Sequence, residues 1–161
     1  MTANGTGGSW MKQTMNDETL AWARPRSVRR RLVVAHVGIS ALMAGLMAWG
    51  AATDNAWALA GMVVLLVVAI LVIGTLNASV RGVTELGERD LDEWQNRTRD
   101  ATYRRLFMPA VSALGAVAAV ILFVDAPLFL EAAVFLFSWF IVTGLPVLVL
   151  AWSLDDEPAD A

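Results

Sequence analysis

The sequence contains no cysteine and a single histidine, His36, among its 161 residues. Without cysteine there are no disulfides and no thiolate metal ligands, and the redox compartment stays undetermined. One histidine and scattered carboxylates give no metal-ligand spacing of the usual kind, so neither a metal nor another cofactor is expected. Ser40, Ser112 and Ser138 have no base beside them in sequence, and no glycine-rich phosphate loop occurs. We therefore expect that the chain is not an enzyme.

Charged residues are scarce, and apolar residues are correspondingly abundant. The chain is 17% charged and 57% hydrophobic, against about 25% and about 45–50% in soluble domains. The apolar residues form four runs, each near the ~20 residues that cross a ~30 Å hydrocarbon core as a helix. The runs are residues 32–52, 57–77, 106–124 and 128–152. The sequence therefore predicts an all-α fold, a bundle of four transmembrane helices over residues 32–152.

Basic residues are confined to two segments of the chain. All twelve lysines and arginines lie in residues 1–31 or 81–105, and none lies in the short turns or in the acidic tail, residues 153–161. The positive-inside rule places both basic segments in the cytoplasm. Four spans then return the C-terminus to that side. We predict a multi-pass protein of the bacterial inner (plasma) membrane with both termini cytoplasmic.

Residues 1–31 are predicted to form a basic cytoplasmic arm, disordered over its Gly-, Thr- and Asn-rich start. Near a membrane, each arginine of this arm is worth about 1 kcal/mol of attraction to an anionic leaflet. We therefore expect residues 24–31 to contact anionic lipids. The patch is short and lacks the spaced aromatic residues that stack on bases, so no nucleic-acid partner is expected. The arginines are Arg24, Arg26, Arg29, Arg30 and Arg31.

The large polar segment between the apolar runs, residues 78–105, is predicted to form a charged cytoplasmic helical hairpin that extends spans 2 and 3. Its charges alternate in sign at four-residue spacing, which favours a helix. Gly87 is the expected helix stop, and Asp90 with Glu93 suits a capping box. Span 2 should accordingly continue to about Leu86, and a long helix should run from about Leu91 to near Val124.

Trp94 is the most informative residue of this hairpin, because an indole on a charged helix favours burial. It either packs against the other limb of the hairpin or anchors a partner protein or a second copy, since tryptophan is enriched where interface energy is concentrated. The candidate partner-binding residues are Trp94, Arg97, Arg99 and Tyr103.

The tetrapeptide Asp92-Glu93-Trp94-Gln95, followed by Ala101 and Tyr103, resembles a group of small four-span membrane proteins of bacteria and archaea. In that group a D-E-R-Q-like element precedes span 3, and an Ala/Tyr pair follows some residues later. Trp94 stands where the element carries arginine. The group is largely of unknown function, so the resemblance implies the four-span architecture and no site.

Two spans carry stripes of small residues at helical spacing. In lipid, small residues let two helix backbones approach closely, so we expect the two stripes to pack against each other. They are Gly38, Ala41, Gly45 and Ala48 on span 1, and Ser112, Ala116 and Ala119 on span 3.

His36 and Glu131 are the candidate intramembrane polar residues, and such residues often mark functional sites. His36 should lie about one turn inside the cytoplasmic end of span 1, as a proton relay or a hydrogen-bonded interfacial residue. Glu131 should lie about one turn below the outer surface, as an interfacial anchor or part of a pathway. The two lie at opposite ends of the spans and cannot form one site within a monomer.

Two functions agree with this pattern. The first is an accessory or regulatory membrane subunit that binds a cytoplasmic or membrane protein through its hairpin. The alternative is a small transporter or channel, assembled as a homodimer or larger oligomer, with Glu131 in the pathway.

Overall fold

The computed structural model describes residues 18–81, 83–84, 86, 91–123 and 127–155. Within these ranges the fold is entirely helical, which confirms the predicted all-α class. A short 3₁₀ helix, Glu18–Ala23, precedes four long helices. These are α1 (Arg26–Thr53), α2 (Ala56–Ser79), α3 (Glu93–Phe123) and α4 (Leu128–Ser153). The predicted disordered start and most of the acidic tail lie outside the described residues.

Three of the helices, α1, α2 and α3, are long and apolar enough to cross a membrane. Among the described residues of α4, the apolar stretch is shorter and covers Phe137–Ser153. Large apolar side chains cover the outside of the helices; Leu71, for example, is 65% exposed and Leu122 is 83% exposed. Soluble monomers rarely expose contiguous apolar surface on this scale. The fold is therefore consistent with a membrane protein.

The connection between α1 and α2 is a turn of two residues, Asp54 and Asn55. Asp54 has a left-handed φ of 49°, and its N–H donates to the carbonyl of Gly50. Asn55 caps α2, because its Oδ1 accepts a hydrogen bond from the N–H of Trp57 at 3.0 Å. So short a turn makes α1 and α2 antiparallel neighbours. Trp49 and Trp57 bracket it and are both exposed.

Packing is uneven among the four helices. α1 packs against α2 and α4, and α2 also contacts α4, so these three form a compact unit. α3 packs against α4 and makes no comparable contact with α1 or α2. None of the 31 residues of α3 is buried. α3 is thus the peripheral helix of the described structure.

α2 ends at Ser79, so the predicted continuation to about Leu86 is wrong. The next residues turn, and Arg81 takes a left-handed φ of 55°. The chain folds back because Val80, Val83 and Leu86 become buried, whereas a projecting helix would have left them in water. The expected stop at Gly87 lies outside the described residues.

α3 begins at Glu93 and ends at Phe123, close to the predicted limits. Its capping box is formed by Asp92 and Gln95, two residues later than predicted. The N–H of Gln95 donates to Asp92 Oδ1 at 2.7 Å, and the N–H of Asp92 donates to Gln95 Oε1 at 3.0 Å. Asp90, the predicted cap, lies outside the described residues. Of the predicted hairpin, the described residues therefore form the α3 limb, while the α2 limb is replaced by turns.

The main apolar core lies at the end where α1 begins and where α2 and α4 end. Residues from all three helices and from the 80–86 connection meet there, so this end is held more firmly than the exposed apolar surfaces around it. Its members are Val33, Leu76, Val80, Val83, Val147, Leu148, Leu150 and Ala151. We call this region, with the arginines that surround it, the basic end.

Candidate functional site

Arg29 is only 5% exposed despite its charge. Its Nε donates to the carbonyl of Ala151 at 3.2 Å and its Nη1 to the carbonyl of Arg24 at 2.5 Å. Its Nη2 donates to the carbonyls of Leu154 and Asp155. The last carbonyls of a helix lack intrahelical partners, and the helix dipole favours a cation beside them. Arg29 therefore clamps the start of α1 to the end of α4.

Two further arginines of α1 strengthen the clamp. Arg26 forms a salt bridge with Asp155 at 2.7 Å. The guanidinium of Arg30 lies 5.0 Å from the ring centroid of Trp152, and its Nε donates to the Trp152 carbonyl at 3.4 Å. These arginines lie on the first turns of α1, so the predicted arm is partly helical. Among the arginines expected to contact anionic lipids, Arg31 is the exposed one.

A cavity of about 450 Å³ opens among the helix ends at the basic end. It is lined by the start of α1, the residues after α2, the start of α3 and the residues after α4. Charges of both signs surround it, including Arg24, Arg81 and Asp92. Trp94 also lines this cavity, with 60% of its surface exposed. The arginine-bearing helix ends therefore meet in one place.

The predicted partner-binding residues separate into two pairs. Trp94 is exposed, and Arg97 forms an exposed ion pair with Glu93 at 2.6 Å. The side chain of Arg99 is only 14% exposed, and its Nη1 donates to the carbonyl of Leu86 at 3.2 Å. Tyr103 donates its hydroxyl to the carbonyl of Thr84 at 3.4 Å. Arg99 and Tyr103 thus fasten the 80–86 connection to α3, whereas Trp94 and Arg97 stay accessible.

The two stripes of small residues are not brought together. All the stripe residues of α1 are exposed, as are those of α3, and α1 makes no substantial contact with α3. A Cβ built at Gly38 or Gly45 would meet nothing within 4 Å. Within one chain, therefore, neither stripe is a packing face.

The buried face of α1 carries polar residues instead. Its buried members are Arg29, Val33, His36 and Ser40. His36 is 0% exposed, and its ring centroid lies 5.7 Å from that of Phe140, at an interplanar angle of 32°. Both ring nitrogens of His36 and the Oγ of Ser40 lack a hydrogen-bond partner among the described residues. Such unmatched buried groups are rare in proteins.

A second cavity, of about 170 Å³, lies against His36. Its other polar lining residues are Asn77, Thr84, Tyr103 and Thr143. Asn77 is buried at the end of α2, and its Oδ1 accepts a hydrogen bond from Thr84 Oγ1 at 2.8 Å. The turn after α2 therefore adds one polar side chain, Thr84, to a space lined by residues of all four long helices. We call this space the His36 cavity.

Glu131 lies in the first turn of α4 and is half-buried. Phe140, which contacts His36, is nine residues further along the same helix, or ~14 Å at ~1.5 Å per residue. The structure therefore does not bring Glu131 and His36 into one site. No group of three histidine or acidic residues among the described residues is placed to hold a metal ion.

Sequence reasoning did not find the clamp of Arg29 or the polar lining of the His36 cavity. A signal was present on span 1, where Arg29, Val33, His36 and Ser40 follow spacings of four, three and four. That spacing marks one helix face, and three of its four members are polar. Asn77 and Thr84 carried no comparable signal, because their pairing depends on where α2 ends.

Comparison with models of known protein families, with curated proteins and with solved structures finds no significant match to this chain. The resemblance at residues 92–103 therefore stays a prediction.

Proposed function

We propose that the chain is an integral protein of the bacterial inner membrane that crosses it four times, with both termini in the cytoplasm. Arg29 and Arg30 hold the start of α1 beside the end of α4, which supports an even number of crossings. The positive-inside rule assigns the basic end to the cytoplasm. Trp49 and Trp57, exposed at the far end of α1 and α2, suit the outer interface, where aromatic rings are enriched.

Within this topology, the chain acts as an accessory or regulatory subunit that binds a partner protein at its basic end. The observation that carries this proposal is Trp94, which is 60% exposed in the first turn of α3 at the edge of the 450 Å³ cavity. Exposed tryptophans of this kind are enriched among the residues that dominate interface energies. Arg97 lies one turn further along the same helix, with its side chain 78% exposed.

The partner suited to this surface presents an apolar pocket for the indole of Trp94 and acidic groups for Arg97. Arg99 and Tyr103 take no direct part, because their polar ends hold the 80–86 connection. This narrows the candidate surface from four residues to two. Opposite-charge complementarity at Arg97 would set orientation and association rate more than affinity.

A photo-crosslinking amino acid at position 94 is expected to form a covalent adduct of defined mass with one partner protein in native membranes. Arg97→Glu in the same chain should reduce the adduct severalfold, because it places a like charge against the partner's acidic groups. The measurement is the adduct band and its mass. An adduct at twice the chain's 17.4 kDa would identify the partner as a second copy.

Position 57 is the matched control, since Trp57 is exposed at the opposite end of the helices. The same probe there should give no adduct with that partner. If positions 94 and 57 give the same adducts, or if position 94 crosslinks only to lipid, the basic end is not a partner-binding surface.

A further inference from the structure

His36 is buried in a place that leaves its hydrogen-bonding capacity unused. Neither Nδ1 nor Nε2 has a partner among the described residues, and the ring is 0% exposed. A neutral imidazole offers one donor and one acceptor. Ser40, one helical turn away and 1% exposed, also has an unmatched hydroxyl. Of the two residues, His36 lines the His36 cavity, where a bound molecule would supply the missing hydrogen bond.

The His36 cavity sets the size of that molecule. Its volume is about 170 Å³, and an apolar cavity of ~150 Å³ is known to admit benzene. One six-membered ring with a small substituent therefore fills it. Phe140 lines the cavity beside His36 and offers a flat aromatic surface on which such a ring packs favourably.

The charge of the lining sets the chemical character of the molecule. None of the described residues that line the His36 cavity is an acid, a lysine or an arginine. A charged ligand would lie there without a counter-charge, at a large cost in desolvation. The polar groups present are hydroxyls, an amide and the imidazole, from Thr84, Thr143, Tyr103, Asn77 and His36. The three hydroxyls already donate within the chain, so the imidazole is the group that a neutral ligand would bond to, as donor or acceptor.

We propose that the His36 cavity is a binding site for a small neutral molecule with one flat ring and a hydrogen-bonding substituent, of the chemical class of the phenols. The ring packs against Phe140, and its hydroxyl bonds to His36. Entry is from the side, between α2 and α3, which make no substantial contact with each other. Tyr103 and Thr143 line the cavity and are exposed, so they mark its mouth. Neutral ring compounds partition into membranes and reach such a lateral opening directly.

The test uses the full chain in lipid nanodiscs and two ¹⁹F NMR probes of nearly equal size, 4-fluorophenol and fluorobenzene. We expect 4-fluorophenol to show saturable binding beyond that of empty nanodiscs, and to bind at least tenfold more tightly than fluorobenzene. The comparison isolates the hydroxyl, because both probes share the fluorinated ring. Equal affinity for the two probes, or no binding of 4-fluorophenol beyond the empty nanodiscs, would overturn the proposal.

Two variants locate the site. His36→Phe keeps an aromatic ring but removes the hydrogen bond, and it should abolish the preference for 4-fluorophenol. Gly144→Val should block both probes. A Cβ at Gly144 lies 3.6 Å from Ile73 Cδ1 and 3.9 Å from His36 Nε2, so the Cβ itself fits, and the two methyl groups beyond it would take up space in the cavity that Gly144 lines.

Gly115→Val is the matched control, since a Cβ at Gly115 meets no atom of the described residues within 4 Å and Gly115 does not line the cavity. It should bind both probes as the parent chain does. Gly144→Val leaves the histidine in place, so it decides the matter even if His36→Phe does not fold. Unchanged binding of 4-fluorophenol by folded Gly144→Val would place any bound molecule elsewhere.

Discussion

Arg29→Met is expected to lower the free energy of unfolding by about 3 kcal/mol, because it removes several hydrogen bonds from one charged, buried group and leaves their carbonyl acceptors unmatched. Methionine retains much of the apolar stem, so the loss reports on the guanidinium. The acceptors at the end of α4, including the carbonyls of Ala151 and Leu154, would then lose the donors that Arg29 supplies. The measurement is reversible unfolding in mixed micelles, followed by circular dichroism.

Arg31→Met is the matched control for this change. Arg31 lies on the same turn of α1 and carries the same charge, but it is exposed. Its replacement should change the free energy of unfolding by less than about 0.5 kcal/mol, as is usual for surface substitutions. If the two variants unfold alike, the clamp does not hold the ends of α1 and α4 together.

Gly50→Ala is expected to destabilise the protein by about 2 kcal/mol, within the usual range for overpacking. A Cβ at Gly50 would lie 2.5 Å from the Cβ of Ala58, which is buried in the first turn of α2. The two-residue turn at Asp54 and Asn55 fixes how closely the two helices approach. Neither backbone can therefore move away without breaking the capping bonds of the turn.

The same substitution at Gly45 should have the opposite sign. A Cβ there meets nothing within 4 Å, and alanine is a better helix former than glycine by up to about 1 kcal/mol. Parallel unfolding curves of Gly50→Ala and Gly45→Ala make the comparison. A stabilising Gly50→Ala would show that α1 and α2 are further apart at this end than the structure has them.

The helices themselves were predictable from the sequence, because apolar runs of this length have few other stable structures. The start of α3 was predicted within two residues, and the two-residue turn between α1 and α2 falls inside the gap between the first two predicted spans, residues 53–56. The length and hydropathy of an apolar run are properties of the local sequence, so they predict a helix without knowledge of how the helices pack.

The end of α2 was not predictable from charge spacing. The alternating charges favoured a helix beyond Ser79, but each such pair is worth only about 0.2–0.5 kcal/mol. Burying one large aliphatic side chain is worth about 1.5–3 kcal/mol. Three such side chains, Val80, Val83 and Leu86, are buried at the basic end. The path of the chain after Ser79 therefore depends on the burial of these apolar residues against the core. That core is formed by helices that are distant in sequence.

The small-residue stripe was predicted to be the packing face of α1, but the polar face is the buried one. The reason is related. Gly38, Ala41 and Gly45 are suited to close packing, but their exposure costs little free energy in water or in lipid. In the proposed membrane arrangement, His36 and Ser40 would lose more if they faced lipid, because polar groups there lack hydrogen-bond partners. The polar face is therefore the buried one. The His36 cavity was missed because that face was not expected to be buried, although His36 itself was singled out.

The proposed topology places the basic end in the cytoplasm, together with the start of α1 and the end of α4. Because the chain has no cysteine, single cysteines at the exposed positions Ser27, Thr53, Glu93 and Ser153 can be labelled in intact cells with a membrane-impermeant maleimide. We predict that Thr53→Cys is labelled in intact cells, and that the other three are labelled only after the membrane is permeabilised. Labelling of Ser27→Cys and Ser153→Cys from opposite sides, or of Glu93→Cys from outside, would contradict the account.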